Sequence, residues 1–205
     1  EYSIRSLPID SKDSVIFIIK SNDVRSSIEQ EIKKIKLPCS WKVYNINVAT
    51  KGQAETVYKT LKSISVDEGT PITIHNCDTA MNLGFNKIEC KFDGGLLLFK
   101  SNESRFSYAK LSLEKKVIKT AEKEVISKYA STGTYLFKNS RIFYECYENR
   151  NKQTGEEYIA PLYNYLLNNG FEVNGVVIKN CFPLGTPEDL ILTSDKLVEI
   201  WNPAW

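Results

Sequence analysis

Two short polar clusters in the sequence combine residue types that can bind an ion or a polar ligand. In residues 51–54, Gly52 lets a ligand approach the backbone and the Gln53 amide can hydrogen-bond a base edge or a hydroxyl. In residues 76–79, Asp78 can hold Mg²⁺, which binds through one or two carboxylates together with substrate phosphates. Each cluster has a plainer interpretation, because Gly52 can be an ordinary turn glycine and Asp78 can cap a helix.

A third cluster, in a predicted loop, places an acid beside a base. Glu122 can accept hydrogen bonds from sugar hydroxyls while the Lys123 ammonium meets a phosphate, although solvated Glu-Lys pairs are far commoner. On a strand, His75 and Cys77 would share one face and could in principle be two metal ligands, but two ligands without a third make no site. The sequence therefore favours a packed strand there.

These clusters need elements that bring them together. Apolar or alternating runs predict strands at 13–20, 41–48 and 70–78, with helices at 24–35 and 55–64 between them. Residues 21–23 are predicted to cap the first of these helices. The order strand, helix, strand, helix, strand predicts an α/β domain with a largely parallel sheet. Ligands bind outside the carboxyl ends of such strands, where all three clusters are expected to lie.

The remainder of the chain has a mixed pattern and no linker. Further strands are predicted at 95–100, 108–113, 116–120, 133–137 and 173–178, with helices at 140–148, at 159–168 and from Pro187 onward. One domain of 205 residues is the simplest organisation.

Composition excludes several classes of protein. The 27 basic and 25 acidic residues give a net charge of +2, which predicts neither a nucleic-acid nor a membrane-surface partner. No run approaches the roughly 18 apolar residues of a membrane span, and residues 1–5 do not resemble a retained signal peptide. The five widely spaced cysteines lack a C-x-x-C pair, so a reducing, cytoplasmic location fits best.

The order of the motifs resembles the sugar-phosphate nucleotidyltransferases, nearest to members associated with capsular and other surface-polysaccharide biosynthesis. The resemblance covers essentially the whole chain, with matching segments at 4–7, 50–56, 76–78, 93–101, 107–110, 121–123, 131–135, 155–161 and 184–190. It implies a single-domain, Rossmann-like (GT-A-like) fold with a mostly parallel mixed sheet flanked by helices. The implied reaction joins a nucleoside triphosphate to a phosphorylated acceptor, a sugar 1-phosphate first, and releases pyrophosphate.

The resemblance also implies a role for individual residues. Asp78 would bind Mg²⁺ and, with Lys123, serve catalysis. The nucleotide would be bound by Lys51, Gly52, Gln53 and Asn76. The substrate would be bound by Tyr108, Glu122, Lys123, Thr132, Gly133, Glu156, Gly185 and Thr186, with Tyr158 as a further candidate.

The chain departs from the family pattern in two places. Pro183 stands where many members have a second metal-binding aspartate, and Pro183 cannot chelate a metal. The family also opens with a strand, a glycine-rich loop ending in arginine, and a Lys-Pro that holds phosphates, whereas the first glycine here is Gly52. We expect an opening segment of roughly 30 to 45 residues to be missing from this sequence.

Other interpretations stay open at the level of sequence. The acceptor could be a non-sugar metabolite resembling phosphocholine, which would make the protein a cytidylyltransferase. A non-catalytic relative that starts natively at residue 1 would bind nucleotide sugars without turnover. A glycosyltransferase-like module would need an Asp-x-Asp motif, which residues 78–80 lack. A homo-oligomer is compatible with all of these interpretations.

Overall fold

The computed structural model describes residues 1–20, 24–83, 90–151 and 155–200, with side chains as far as residue 197. The first elements are α1 (Tyr2–Arg5), β1 (Ser14–Ile19), α2 (Arg25–Ile35), β2 (Ser40–Asn45) and α3 (Gln53–Ser63). β1 and β2 pair in parallel, as the apolar runs predict. The predicted cap at residues 21–23 lies outside the described residues.

The predicted strand at 70–78 is two strands in the structure. β3 (Ile72–His75) ends before the polar cluster, and β4 (Thr79–Asn82) begins after it and pairs antiparallel with β10 (Asn180–Pro183). The chain turns between them, where the Asn76 amide donates to the Gly133 carbonyl at 3.0 Å. Asp78 therefore precedes a strand and does not cap a helix. The prediction that Cys77 shares a strand face with His75 is wrong, because β3 ends at His75.

The large sheet is built around one long strand. Its strands are β5 (Gly94–Lys100), β6 (Ser107–Leu111), β7 (Val117–Glu122), β8 (Tyr129–Phe137) and β9 (Val173–Val177), in the order β7-β6-β8-β5-β9, and β3 also pairs with β8. β6 meets the first part of β8 and β3 the last part, both on the edge opposite β5. Residues that precede β4 and residues that end β7 are thereby placed around the middle of β8.

The α/β class, with a mixed sheet flanked by helices, is confirmed. Among the described residues, β1–β2 and β5–β9 are the parallel pairs, and β8 pairs antiparallel with β3, β5 and β6. Antiparallel pairing is thus more extensive than the apolar runs predict. The reason is that eight of the nine residues of β8 are buried, so its sequence resembles that of a central parallel strand.

Helices on the sheet complete the core. They are α4 (Ser140–Glu148), α5 (Tyr163–Asn168), which follows a 3₁₀ turn at Ala160–Leu162, and α6 (Pro187–Ile200). Asn139 begins α4 by accepting a hydrogen bond from the Ile142 amide at 2.9 Å. Phe137, Phe143 and Tyr163 are fully buried between sheet and helices, and each such side chain contributes on the order of 1.5–3 kcal/mol. Within the described residues, no helix is both long enough and apolar enough to cross a bilayer.

Candidate functional site

A cavity of about 260 Å³ lies where the turn after β3, the middle of β8 and the start of α6 meet. Six residues that the sequence singles out line it: Asn76, Asp78, Thr132, Gly133, Gly185 and Thr186. They come from three separate parts of the chain. The pairing of β3 with β8 and of β4 with β10 brings those parts together.

Asn76 is the centre of a tight contact on the floor of this cavity. Its side-chain oxygen accepts from Gln53 Nε2 at 2.6 Å, and its backbone amide donates to Gly133. Gly133 adopts φ +76°, and a Cβ atom there would lie 2.5 Å from Asn76 Cγ. The structure therefore brings together Gln53, Asn76 and Gly133, for which the family resemblance implies nucleotide and acceptor binding.

The loop at residues 51–54 is held by a neighbouring segment. Ala54 N donates to Glu157 O and Glu157 N donates to Lys51 O, both at 3.0 Å. A Cβ atom on Gly52 would lie 2.5 Å from the same Glu157 carbonyl oxygen. The close approach that Gly52 permits in this structure is therefore that of residue 157, and Lys51 is left exposed beside it.

Asp78 is exposed and also lines the cavity. Its backbone carbonyl accepts from Leu184 N at 2.7 Å, and a Cβ atom on Gly185 would lie 3.0 Å from its Oδ2. An exposed carboxylate beside a ligand-sized cavity fits a Mg²⁺ ion, which needs one or two carboxylates besides phosphates and water. Pro183 also lines the cavity, and the described residues contain no group of three His, Cys, Asp or Glu that could hold a metal by themselves.

Glu122 reaches the cavity through a hydroxyl. It is the last residue of β7, not a loop residue, and its Oε2 accepts from the Ser107 hydroxyl, which lines the cavity. The Tyr135 hydroxyl lies 3.5 Å from the same Ser107 oxygen. Burial raises the pKa of the Glu122 carboxyl, although its hydrogen bond with Ser107 and the charge of Lys123 act in the opposite direction.

Lys123 turns the chain away from β7 with φ +54° and is exposed. Its ammonium donates to the Tyr158 hydroxyl, which in turn donates to Glu156. The hydrogen bond with Tyr158 is the main reason that the pKa of Lys123 is raised. Glu156 and Tyr158 line a second cleft of about 160 Å³ beside α5, and neither lines the first cavity.

Two further residues that were predicted to bind the substrate, Tyr108 and Thr132, make hydrogen bonds inside the protein. Tyr108 is fully buried and its hydroxyl donates to the Glu103 carbonyl at 2.8 Å, so the structure places it away from the cavity. Thr132 lines the cavity, but its hydroxyl donates to the Leu97 carbonyl at 3.2 Å. Both side chains already have internal hydrogen-bond partners.

Sequence reasoning missed the ion pair between Arg105 and Asp189. Two nitrogens of Arg105 donate to the two oxygens of Asp189 at 2.8 and 2.7 Å, and both residues line the cavity. The guanidinium lowers the pKa of the Asp189 carboxyl. The pair ties the start of α6 to the segment before β6, and no local pattern could have indicated it, because the two residues are 84 positions apart.

The environment of His75 predicts how the stability of the protein depends on pH. Desolvation lowers the pKa of the partly buried imidazole to about 4, from 6.5. The unfolded chain therefore binds a proton between pH 6.5 and 4 that the folded chain does not. Stability from this group is complete above pH 6.5 and falls as the solution is acidified, by about 2 kcal/mol at pH 5.

Urea unfolding at pH 7.5 and at pH 5.0 measures this dependence. Glutamine does not titrate, so in His75→Gln the free energy of unfolding should differ less between the two pH values, by most of the about 2 kcal/mol expected for His75. An identical pH dependence in wild type and His75→Gln would contradict the assignment.

No family model matches the sequence, and no curated protein matches it. Several solved structures are similar to this chain. The nucleoside-diphosphate-sugar pyrophosphorylase from Vibrio cholerae RC9 is 28% identical with a TM-score of 0.81, over 96% of this chain and 86% of that one. The inositol-1-phosphate CTP transferase from T. maritima is 14% identical with a TM-score of 0.71, over 91% and 76% of the two chains.

These neighbours define the class of the molecule: it has the mixed α/β fold of nucleotidyltransferases. The structural neighbours are sugar-phosphate and inositol-phosphate nucleotidyltransferases, and the resemblance to the sugar-phosphate nucleotidyltransferase family that the motifs predicted is confirmed.

Proposed function

We propose that this protein is a nucleotidyltransferase that joins a nucleoside triphosphate to a sugar 1-phosphate and releases pyrophosphate. The observation that carries the proposal is the cavity itself. In its lining, Asn76 contacts Gln53 and Gly133, Asp78 lies beside Gly185, and Ser107 is a further polar residue. The neighbour from Vibrio cholerae, a nucleoside-diphosphate-sugar pyrophosphorylase, supports this assignment.

The proposed chemistry is an in-line displacement. A phosphate oxygen of the acceptor attacks the α-phosphorus of the triphosphate, and the bond between that phosphorus and the pyrophosphate oxygen breaks. Such a reaction needs positioning and charge neutralisation and no covalent nucleophile. Asp78 would hold Mg²⁺, which when bound neutralises phosphate charge.

The protein residues divide between the two substrates in this proposal. Gln53 and Asn76 lie together and offer amide groups to the base or the ribose. Lys51 and Gly52 flank them on the same loop. At the other end Glu122 accepts from acceptor hydroxyls and Lys123 meets the acceptor phosphate. Of the other predicted residues, Thr132, Gly133, Gly185 and Thr186 line the cavity itself.

A second candidate function has a specific observation in its favour. The neighbour from T. maritima is an inositol-1-phosphate CTP transferase, so a cytidylyltransferase acting on a non-sugar phosphate is the alternative acceptor class. In either case the product is an activated group, and surface-polysaccharide synthesis is the use that we propose for the sugar product.

Thermal-shift measurements with ATP, CTP, GTP and TTP in the presence of Mg²⁺ should identify the nucleotide. Pyrophosphate release should then be measured with that nucleotide against sugar 1-phosphates, inositol 1-phosphate and phosphocholine. We expect release with one sugar 1-phosphate. Stabilisation by a nucleotide sugar without release from any pair would overturn the proposal in favour of a non-catalytic relative.

Lys123→Ala is expected to raise the KM for the acceptor about tenfold, with a smaller change in kcat and in the KM for the triphosphate. The reason is the loss of one charged hydrogen bond to the acceptor phosphate. Lys116→Ala is the matched control, since the Lys116 side chain is also partly exposed, at 40%, and its ammonium bonds to Glu172, but Lys116 lines neither cleft. Equal acceptor KM values in the two variants would remove Lys123 from the acceptor site.

A further inference from the structure

The imidazole of His75 lies under the turn that carries Asn76 and Asp78. Its Nδ1 is 2.8 Å from the Thr134 hydroxyl on β8. Its Nε2 is 3.1 Å from the Thr79 carbonyl oxygen and 3.0 Å from the Ser3 hydroxyl of α1. Both nitrogens are therefore engaged inside the protein, and His75 is not among the residues that line the cavity.

These partners determine which nitrogen carries the proton. A carbonyl oxygen only accepts, so Nε2 must be protonated to bond to Thr79. Nδ1 then accepts from the Thr134 hydroxyl. The Ser3 hydroxyl donates to the Asn76 carbonyl at 3.0 Å and is free to accept from the same Nε2–H.

These hydrogen bonds connect His75 to both ends of the turn at residues 76–78. One end of the turn, the Asn76 carbonyl, is tied to His75 through Ser3, and the other end, the Thr79 carbonyl, is tied to it directly. The ring is itself fixed to β8 one residue after Gly133, whose carbonyl accepts from the Asn76 amide. Displacement of the imidazole would thus remove one support from each end of the turn at once.

We propose that His75 is a positioning residue, which with Ser3 fixes the turn that presents Asn76 and Asp78 to the cavity. The effect on turnover rests on the proposed function, whereas the effect on the turn does not. A displacement of catalytic groups by about 1 Å can cost on the order of 10²-fold in rate. The two side chains therefore act on the reaction although neither lines the cavity.

Three variants separate this role from simple packing. His75→Phe keeps a ring but removes the hydrogen bonds that the imidazole makes. His75→Gln keeps an N–H donor within reach of the Thr79 carbonyl. Ser3→Ala removes the link between the imidazole and the Asn76 carbonyl and leaves the imidazole in place. Ile142→Val in α4 is the control, because Ile142 is a buried core residue that does not itself line the cavity.

Amide hydrogen exchange without any substrate is the first measurement. Two amides report on the turn: Asn76 N, which donates to Gly133, and Leu184 N, which donates to Asp78. In His75→Phe and Ser3→Ala we expect both to exchange at least about tenfold faster relative to the amides of β5, since the turn opens locally. Ile142→Val should leave that ratio unchanged, and His75→Gln should lie close to wild type.

Turnover is the second measurement, at a temperature where every variant is folded. We expect kcat for pyrophosphate release to fall about 10²-fold in His75→Phe and to be largely restored in His75→Gln. Unchanged exchange at Asn76 and Leu184 in both His75→Phe and Ser3→Ala would overturn the proposal. If His75→Phe does not fold, Ser3→Ala decides it, and if wild type releases no pyrophosphate, the proposed function fails while the exchange result stands.

Discussion

Asp78→Ala is expected to lower the rate of pyrophosphate release by about 10³-fold while the protein stays folded. The carboxylate is exposed at the cavity, and alanine keeps the backbone carbonyl that accepts from Leu184. Removal of an exposed side chain with an intact backbone bond changes the free energy of unfolding by within about 0.5 kcal/mol. Initial rates and urea unfolding of the same preparation measure both quantities.

Asp93→Ala is the matched control for Asp78→Ala. Asp93 is also an aspartate beside a strand of the sheet, but its carboxylate accepts from the Glu172 amide at 3.1 Å and contacts Lys138, away from the cavity. Its loss should cost stability and leave the rate unchanged. A Mn²⁺ titration in the presence of the triphosphate gives a readout other than rate. Full activity and unchanged Mn²⁺ affinity in Asp78→Ala would remove Asp78 from the metal role.

The elements of this fold were largely predictable, and the turn at the site was not. Hydrophobic runs place β1 and β9 within a residue or two of their observed bounds, because burial dictates residue type along a strand. The same signal extends the third strand to residue 78. It cannot register that the Asn76 amide pairs with Gly133, 57 positions later, and that the chain bends there.

The same reasoning explains which residues at or beside the cavity could be singled out from the sequence. Gln53 was visible as an amide beside a turn glycine and Asn76 as a polar residue after an apolar run, whereas Gly133 was predicted from the family resemblance. Arg105 and Asp189 were missed because their relation exists only across β6 and α6. Tyr108 was predicted by position within a motif, but side-chain direction depends on strand register, which places it in the core.

His75 shows the limit of assigning chemistry by residue type. In the sequence it resembles half of a metal site with Cys77, whereas in the structure both ring nitrogens are engaged by protein groups on three elements. A histidine in that state cannot bind a metal without breaking those bonds. Its neighbours in space, and not its neighbours in sequence, determine what it does.

Gly133→Ala is expected to lower kcat/KM about 10²-fold, since alanine would displace the contact on the cavity floor. Its Cβ would lie 2.5 Å from Asn76 Cγ and 2.6 Å from Asn76 Nδ2, so the Asn76 side chain and its bond to Gln53 must move. The left-handed backbone adds about 1–2 kcal/mol of strain, and the crowding adds about 1–3 kcal/mol. Steady-state kinetics and urea unfolding of the purified variant measure these two effects.

Gly170→Ala separates the backbone strain from the crowding against Asn76. Gly170 has φ +77°, against +76° at Gly133, but nothing lies within 4 Å of the position of its Cβ. Alanine there carries the backbone strain alone, so it should lower stability by about 1–2 kcal/mol and leave kcat/KM unchanged. Equal losses of stability in the two variants, with activity retained in both, would show that Asn76 can move without consequence and would remove it and Gly133 from the proposed site.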